Sequence, residues 1–139
     1  MHSISNCGRT LNNVAAYSTP EIFALLLSHG AELSNATPLH HAVGWKHSNR
    51  MPMLEYLFSE LKLDVNALDD APTVPEQCRG HDGTPLHYTL RDQRYEAARW
   101  LLEHGADPDR KCTFARSPAR IWVENLPSDH ELAILLRRY

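Results

Sequence analysis

The 139-residue chain predicts an all-α solenoid of stacked helix pairs. Three observations predict it. Thr37-Pro38-Leu39-His40-His41-Ala42 recurs as Thr84-Pro85-Leu86-His87-Tyr88-Thr89, and such internal repetition is the mark of a repeat architecture. A second phrase, Leu26-Leu27-Ser28-His29-Gly30-Ala31-Glu32, returns as Leu101-Leu102-Glu103-His104-Gly105-Ala106-Asp107 on the same side of its neighbouring unit. Apolar residues between the phrases follow helical spacing, with Ile22, Leu25, Leu26; Leu54, Leu57, Phe58, Leu61; Ala98, Leu101, Leu102; and Leu132, Leu135, Leu136 at i, i+3, i+4. No single pair of short helices buries such a stripe alone, so neighbours must stack in about three or more units.

The ends of each helix are legible in order. Threonine before proline starts a helix, because the hydroxyl accepts an orphan backbone N–H and proline at the first helical position has none to lose. Thr19-Pro20, Thr37-Pro38 and Thr84-Pro85 are three such starts. Glycine after His29 and His104 supplies the left-handed residue that closes a helix, and a histidine in the last turn suits the negative end of the dipole. Ser128 and Glu131 have capping-box spacing ahead of the final apolar run.

These phrases resemble the ankyrin repeat, a β-turn and two antiparallel helices in about 33 residues. The best stretch, Thr84 through Asp109, follows that pattern without a gap. The resemblance implies an ankyrin-repeat solenoid of stacked antiparallel helix pairs and projecting β-turn loops, with residues 1–139 as one domain and units at about 10–36, 37–83, 84–116 and 117–139, the last a degenerate C-terminal cap. The first unit departs from the pattern at Leu11-Asn12-Asn13. The second carries insertions, since 47 positions separate Thr37 from Thr84. One insertion lies around Trp45 to Met51 and a longer one covers 67–83, stiffened by Pro72 and Pro75.

Composition bounds the function. A hydrophobic content of 42%, 22% charged residues and a formal net charge of −3 describe a chain that folds in water. They supply no excess cation for nucleic-acid phosphates. No apolar run approaches the roughly 18 residues needed to span a bilayer, and the polar start lacks a secretory pattern. A cytoplasmic or nuclear location is expected. Cys7, Cys78 and Cys112 are odd in number and widely spaced, which reads as three reduced thiols.

Nine histidines are the one hint of metal or acid–base chemistry. The resemblance implies that His40 and His87 bond the threonine hydroxyl and neighbouring backbone, tying units together, and it places His29 and His104 at helix ends. Cys78, His81 and Asp82 hold the residue types of a nucleophilic triad, but a five-residue loop seldom sets attack geometry. Zinc would want four ligands at recognised spacing, which are lacking. Asp64, Asp69, Asp70, Asp107 and Asp109 read as turn residues that cap backbone N–H groups. No cofactor or metal is expected.

In ankyrin-like stacks, turn tips and first-helix ends line one concave face, so the resemblance implies partner contacts at Tyr17, Trp45, Lys46, His47, Arg79, His81, Asp82, Arg91 and Asp92. Tyrosine, tryptophan and arginine most often dominate interface energy. Trp100 and Trp122 read as core. The expected function is a module that recruits or inhibits a protein partner, with no nucleic acid or membrane partner. The rival is an atypical enzyme using the same groove as a small-molecule pocket, with His41, His81, Asp82 and Arg91 as acid–base and anion-holding groups.

Overall fold

A computed structural model describes residues 8–43 and 49–139. Among the described residues seven α-helices run α1 (Arg9–Tyr17), α2 (Pro20–Ser28), α3 (Pro38–Val43), α4 (Met51–Glu55), α5 (Pro85–Arg91), α6 (Tyr95–Glu103) and α7 (Glu131–Leu136). A π-helical turn, Tyr56–Glu60, continues α4, and short 3-10 helices cover Leu33–Asn35, Glu76–Cys78 and Ala119–Val123. Among the described residues there is no strand beyond one isolated bridge, Lys111 to Pro118.

Two rows of helices explain the shape of the core. Helices α1, α3 and α5 pack side by side, and the 3-10 helix Ala119–Val123 extends their row. Each meets its own partner, as α1 with α2, α3 with α4, α5 with α6, and the 3-10 helix with α7. One continuous cluster fills the space between, including Leu11, Phe23, Leu39, Leu54, Leu57, Leu86, Leu101 and Leu132. This is the all-α stack of helix pairs that the repeated phrases predict.

Two of the three expected threonine caps form, and both glycine ends follow the expected chemistry. Thr19 Oγ1 accepts the Ile22 N–H at 3.3 Å, and Thr84 Oγ1 accepts the His87 N–H at 3.4 Å. Gly30 and Gly105 both adopt φ of 96° and let the chain leave the helix. His29 and His104 do more than sit near the dipole: each Nδ1–H donates to the carbonyl four residues back, at 2.9 and 2.7 Å. The last helix departs from expectation. His130, not Ser128, caps α7, its Nδ1 accepting the Leu132 N–H at 3.1 Å. A turn closed by His130 N–H to Pro127 O delays the helix past the serine.

The second unit shows why a π turn appears. Relative to Leu26–Gly30 and Leu101–Gly105, the segment Leu57–Lys62 holds one more residue before the chain turns. The wider turn absorbs it. Lys62 then stands where the other units place glycine, at φ of 58°, a left-handed conformation that strains a side chain with a Cβ. Lys62→Gly is expected to stabilise the protein by about 0.5–1 kcal/mol, read as a raised urea midpoint.

Two apolar expectations need correction. Ile22 and Leu25 of α2 are 42% and 52% exposed, while Phe23 is the fully buried residue of that helix and meets Tyr56 edge-on at 5.8 Å. Helix α2 lies at one end of the stack, so its packing face is narrower than the full apolar stripe. Trp122 is 46% exposed, whereas Trp100 is buried and donates its Nε1–H to Glu55 at 2.9 Å. Phe23→Ala is expected to cost about 3–5 kcal/mol in urea unfolding. Leu25→Ala should stay within about 0.5 kcal/mol of the parent.

Candidate groove and turn surface

The site begins with how the two signature histidines are held. His87 Nε2 lies 2.9 Å from the Ser117 carbonyl oxygen, which can only accept, so the proton is on Nε2. Its Nδ1 then accepts the Thr84 N–H at 3.1 Å and lies 2.8 Å from the Thr84 hydroxyl. His40 Nε2–H is shared between Ala67 O at 2.9 Å and Gly83 O at 3.0 Å. Both imidazoles therefore fasten a downstream turn to an inner helix.

The copies differ in their nearer bonds. Asn12 Oδ1 takes the Thr37 N–H at 2.8 Å, so the bond that His87 receives from Thr84 is not available to His40. His40 Nδ1 is buried without a hydrogen-bond partner. The Thr37 hydroxyl lies 3.4 Å from His41 Nδ1 instead, and that nitrogen donates to the Thr37 carbonyl at 2.9 Å. The Leu-Asn-Asn departure in the first unit has thus replaced one of the expected threonine–histidine contacts.

Asp69 is buried and organises the long insertion. Its Oδ1 accepts the Gly83 N–H at 3.1 Å, and its Oδ2 accepts the Asp82 N–H at 3.0 Å and the Tyr88 hydroxyl at 2.5 Å. Backbone bonds from Asp69 N–H to Gly83 O and from Gly80 N–H to Asp69 O close the same loop. Gly80 is required by this approach, because a Cβ there would fall 2.3 Å from Asp69 Oδ2. Arg79 works inside the loop, donating from Nε to Val74 O at 2.8 Å and from Nη2 to Pro72 O at 3.1 Å.

The predicted residues separate into three groups. Tyr17, His41, Arg91 and Asp92 line one open cavity of about 270 Å³, together with Asn13, Ala16, His40 and Tyr88. Asp82 reaches that face through Arg91, whose Nη1 lies 2.8 Å from Asp82 Oδ2. Arg79 and His81 lie elsewhere, the first stapling the insertion and the second packing on the Phe114 ring at 4.2 Å. Trp45, Lys46 and His47 lie outside the described residues. A second cavity of about 350 Å³ is lined by Leu33, Leu63, Leu68, Ala71 and Val74 under the insertion. Neither is enclosed.

The arrangement of charges bears on chemistry. Arg91 is held by Asp92 in a two-point contact of 3.1 and 3.2 Å and by Asp82, and its guanidinium lies 5.1 Å from the Tyr88 ring centre. Those carboxylates raise its pKa, the Asp92 bond most, and occupy the fork that an anion would need. Cys78 is disulfide-bonded, which corrects its reading as a reduced thiol and removes the sulfur from the Cys78, His81, Asp82 grouping. Cys112 is free and buried. Among the described residues no group of three or more His, Cys, Asp or Glu side chains could hold a metal ion.

Sequence reasoning missed Tyr88 and Phe114. Tyr88 occupies the position in its phrase that His41 occupies in the other copy, so the signal was present in the alignment of the two phrases. Phe114 is 63% exposed on a turn whose sequence carries no repeat signature.

The chain matches the ankyrin repeat family over residues 34–70 and 81–113, together just over half of its length. It belongs to the ankyrin repeat family. Ankyrin repeats are generally protein–protein interaction modules. No curated protein matches the chain. Among the described residues no helix is long and apolar enough to cross a membrane.

Burial makes the ankyrin histidines sensitive to acid. Desolvation lowers the pKa of His40 to about 4 and that of His87 in the same direction. Both depressions favour the neutral ring in the folded state, so this stability is complete above the unfolded value of 6.5. It is lost as pH falls from there through the folded value. For His40 the loss reaches about 2 kcal/mol by pH 5. Urea unfolding at pH 7 and pH 5 should show that drop, with a proton taken up on unfolding at the lower pH.

Proposed function

We propose that the chain recruits or inhibits a protein partner through its concave groove and the long turn insertion 67–83. Residues 1–139 act as one ankyrin domain, working in the cytoplasm or nucleus. The observation that carries this reading is the open cavity where Tyr17, His41, Tyr88, Arg91 and Asp92 meet. It lies where α1, α3 and α5 meet, and Asp82 of the insertion reaches it through Arg91. Tyr17, 59% exposed, and Tyr88 offer aromatic surface at small entropic cost, and Arg91 is already oriented by its two carboxylates. Trp45, Lys46, His47, Arg79, His81 and Asp82 extend the surface in this reading.

The enzyme alternative finds less support. Its proposed anion holder, Arg91, is occupied by Asp82 and Asp92, and His41 spends its Nδ1–H on its own helix. The cavity is open rather than closed around a reacting centre.

Capture from native lysate tests the reading when done with matched variants. Tyr17→Ala and Arg91→Ala should each reduce recovery of the same protein by at least about tenfold, as expected at hot spots. Glu103→Lys, on the outer helix row, should leave it unchanged. Equal recovery by all three baits would remove the groove from the interface. A co-purifying metabolite with no captured protein would favour the enzyme.

A further inference from the structure

Charge is unevenly divided along this ankyrin chain. Residues 1–109 hold eight basic and fourteen acidic side chains, whereas residues 110–139 hold six and three. The positive end of an acidic protein is concentrated at one turn. Arg110, Lys111 and Arg116 are all exposed between Pro108 and Ser117, and none forms an ion pair among the described residues. Arg120 differs, since Asp109 holds its guanidinium at 2.9 and 3.3 Å. That pairing neutralises Asp109 and leaves Asp107 as the nearby carboxylate, whose Oδ1 accepts the Asp109 N–H.

Phe114 stands between the three cations and is 63% exposed, the largest exposure of any large apolar side chain described. His81, from the tip of the preceding turn, lies against it at 4.2 Å, so the two tips present a joined aromatic surface. The base of the turn is fixed while its tip is open. Cys112 N–H donates to Ser117 O at 3.0 Å, His87 Nε2–H donates to the same oxygen, and Arg120 N–H donates to Pro108 O at 3.0 Å. The Lys111 to Pro118 bridge completes the closure, and buried Cys112 anchors it to the core. Little backbone freedom remains to be lost on binding.

We propose that the 110–116 turn, with His81, docks an acidic peptide segment of a protein partner that carries one large apolar side chain. Carboxylates meet Arg110, Lys111 and Arg116, and the apolar side chain covers Phe114 and the His81 ring. Arginine and carboxylate pair in a two-point geometry, and an exposed aromatic among cations gains most from a partner that supplies both charge and cover. A long polyanion fits poorly, because beyond the turn it meets a chain in which acids outnumber bases. The proposal names the partner chemistry of the binding function above and rests on it.

Fluorescence anisotropy with a labelled twelve-residue peptide of Glu and Asp around a single central Phe provides the test. The peptide should bind saturably at low salt and weaken as salt rises. The Arg110→Glu, Lys111→Glu, Arg116→Glu triple variant should lose at least about tenfold in affinity, and Phe114→Ser about fivefold. An Arg137→Glu, Arg138→Glu variant should bind like the parent. Amide shifts in the unaltered protein should move at residues 81 and 110–116, which keeps the test independent of whether the triple variant folds. Equal loss in the Arg137, Arg138 variant, tighter binding of poly(U) RNA or phosphatidylserine vesicles, or shifts confined to the groove would overturn the proposal. Failure here with Tyr17-dependent capture intact would leave the groove function standing, and loss of that capture alone would leave the turn.

Discussion

A single buried imidazole proton joins the inserted loop to the helical stack. His40 Nε2–H is shared by the carbonyls of Ala67 and Gly83, the two ends of the 67–83 insertion. Drawing those ends to one point makes the excursion between them a closed loop rather than an interruption. The neighbouring α3 and α5 can then pack as though the intervening residues were a short turn. Asp69 secures the same closure from inside, accepting two backbone N–H groups and the Tyr88 hydroxyl. The bond between the phenol and the carboxylate offsets the cost of burying both. The phenol responds accordingly: desolvation, with the bond to Asp69 adding to it, raises the Tyr88 pKa.

Most of the scaffold was legible because local chemistry and global packing agree. Thr19 and Thr84 cap the helices they precede, and the glycines after His29 and His104 turn left-handed where the sequence predicts. Agreement failed where position in the stack, rather than the pattern within a helix, decides burial. Ile22 and Leu25 satisfy helical spacing but belong to an end helix with one packed side. The Ser128 cap failed for a different reason, because a competing turn at Pro127 shifted the start to Glu131. Local pairing of four residues cannot foresee that competition.

The face was less legible than the scaffold, and the reason is again physical. Contacts at a surface depend on which side chains the fold brings together from distant parts of the chain. Tyr17 and Arg91, 74 positions apart, line one cavity, a meeting that only stacking α1 beside α3 and α3 beside α5 produces. Arg79 falls in a turn where the family resemblance implies partner contacts, yet two carbonyls of its own loop claim its guanidinium. Such bonding leaves it a supporting part for the surface. Phe114 carried the opposite error, for nothing in Lys111-Cys112-Thr113-Phe114 announces that its neighbours will be pinned and its ring left open.

Pinned bases with open tips recur at both unusual turns, and this divides the energetic labour of the protein. The first-row histidines spend their hydrogen bonds on backbone carbonyls at the bases, where water is excluded and a missing partner would be costly. Tip residues such as His81 and Phe114 contribute little to that network and can change without disturbing it. Groove and tip differ in electrostatic character as a result. Arg91 is balanced by two carboxylates, so the groove offers shape and aromatic area, whereas Arg110, Lys111 and Arg116 are unbalanced and offer field. A partner that used both would be drawn in by the charged turn and held by the packed face, with the first governing how fast it arrives and the second how long it stays.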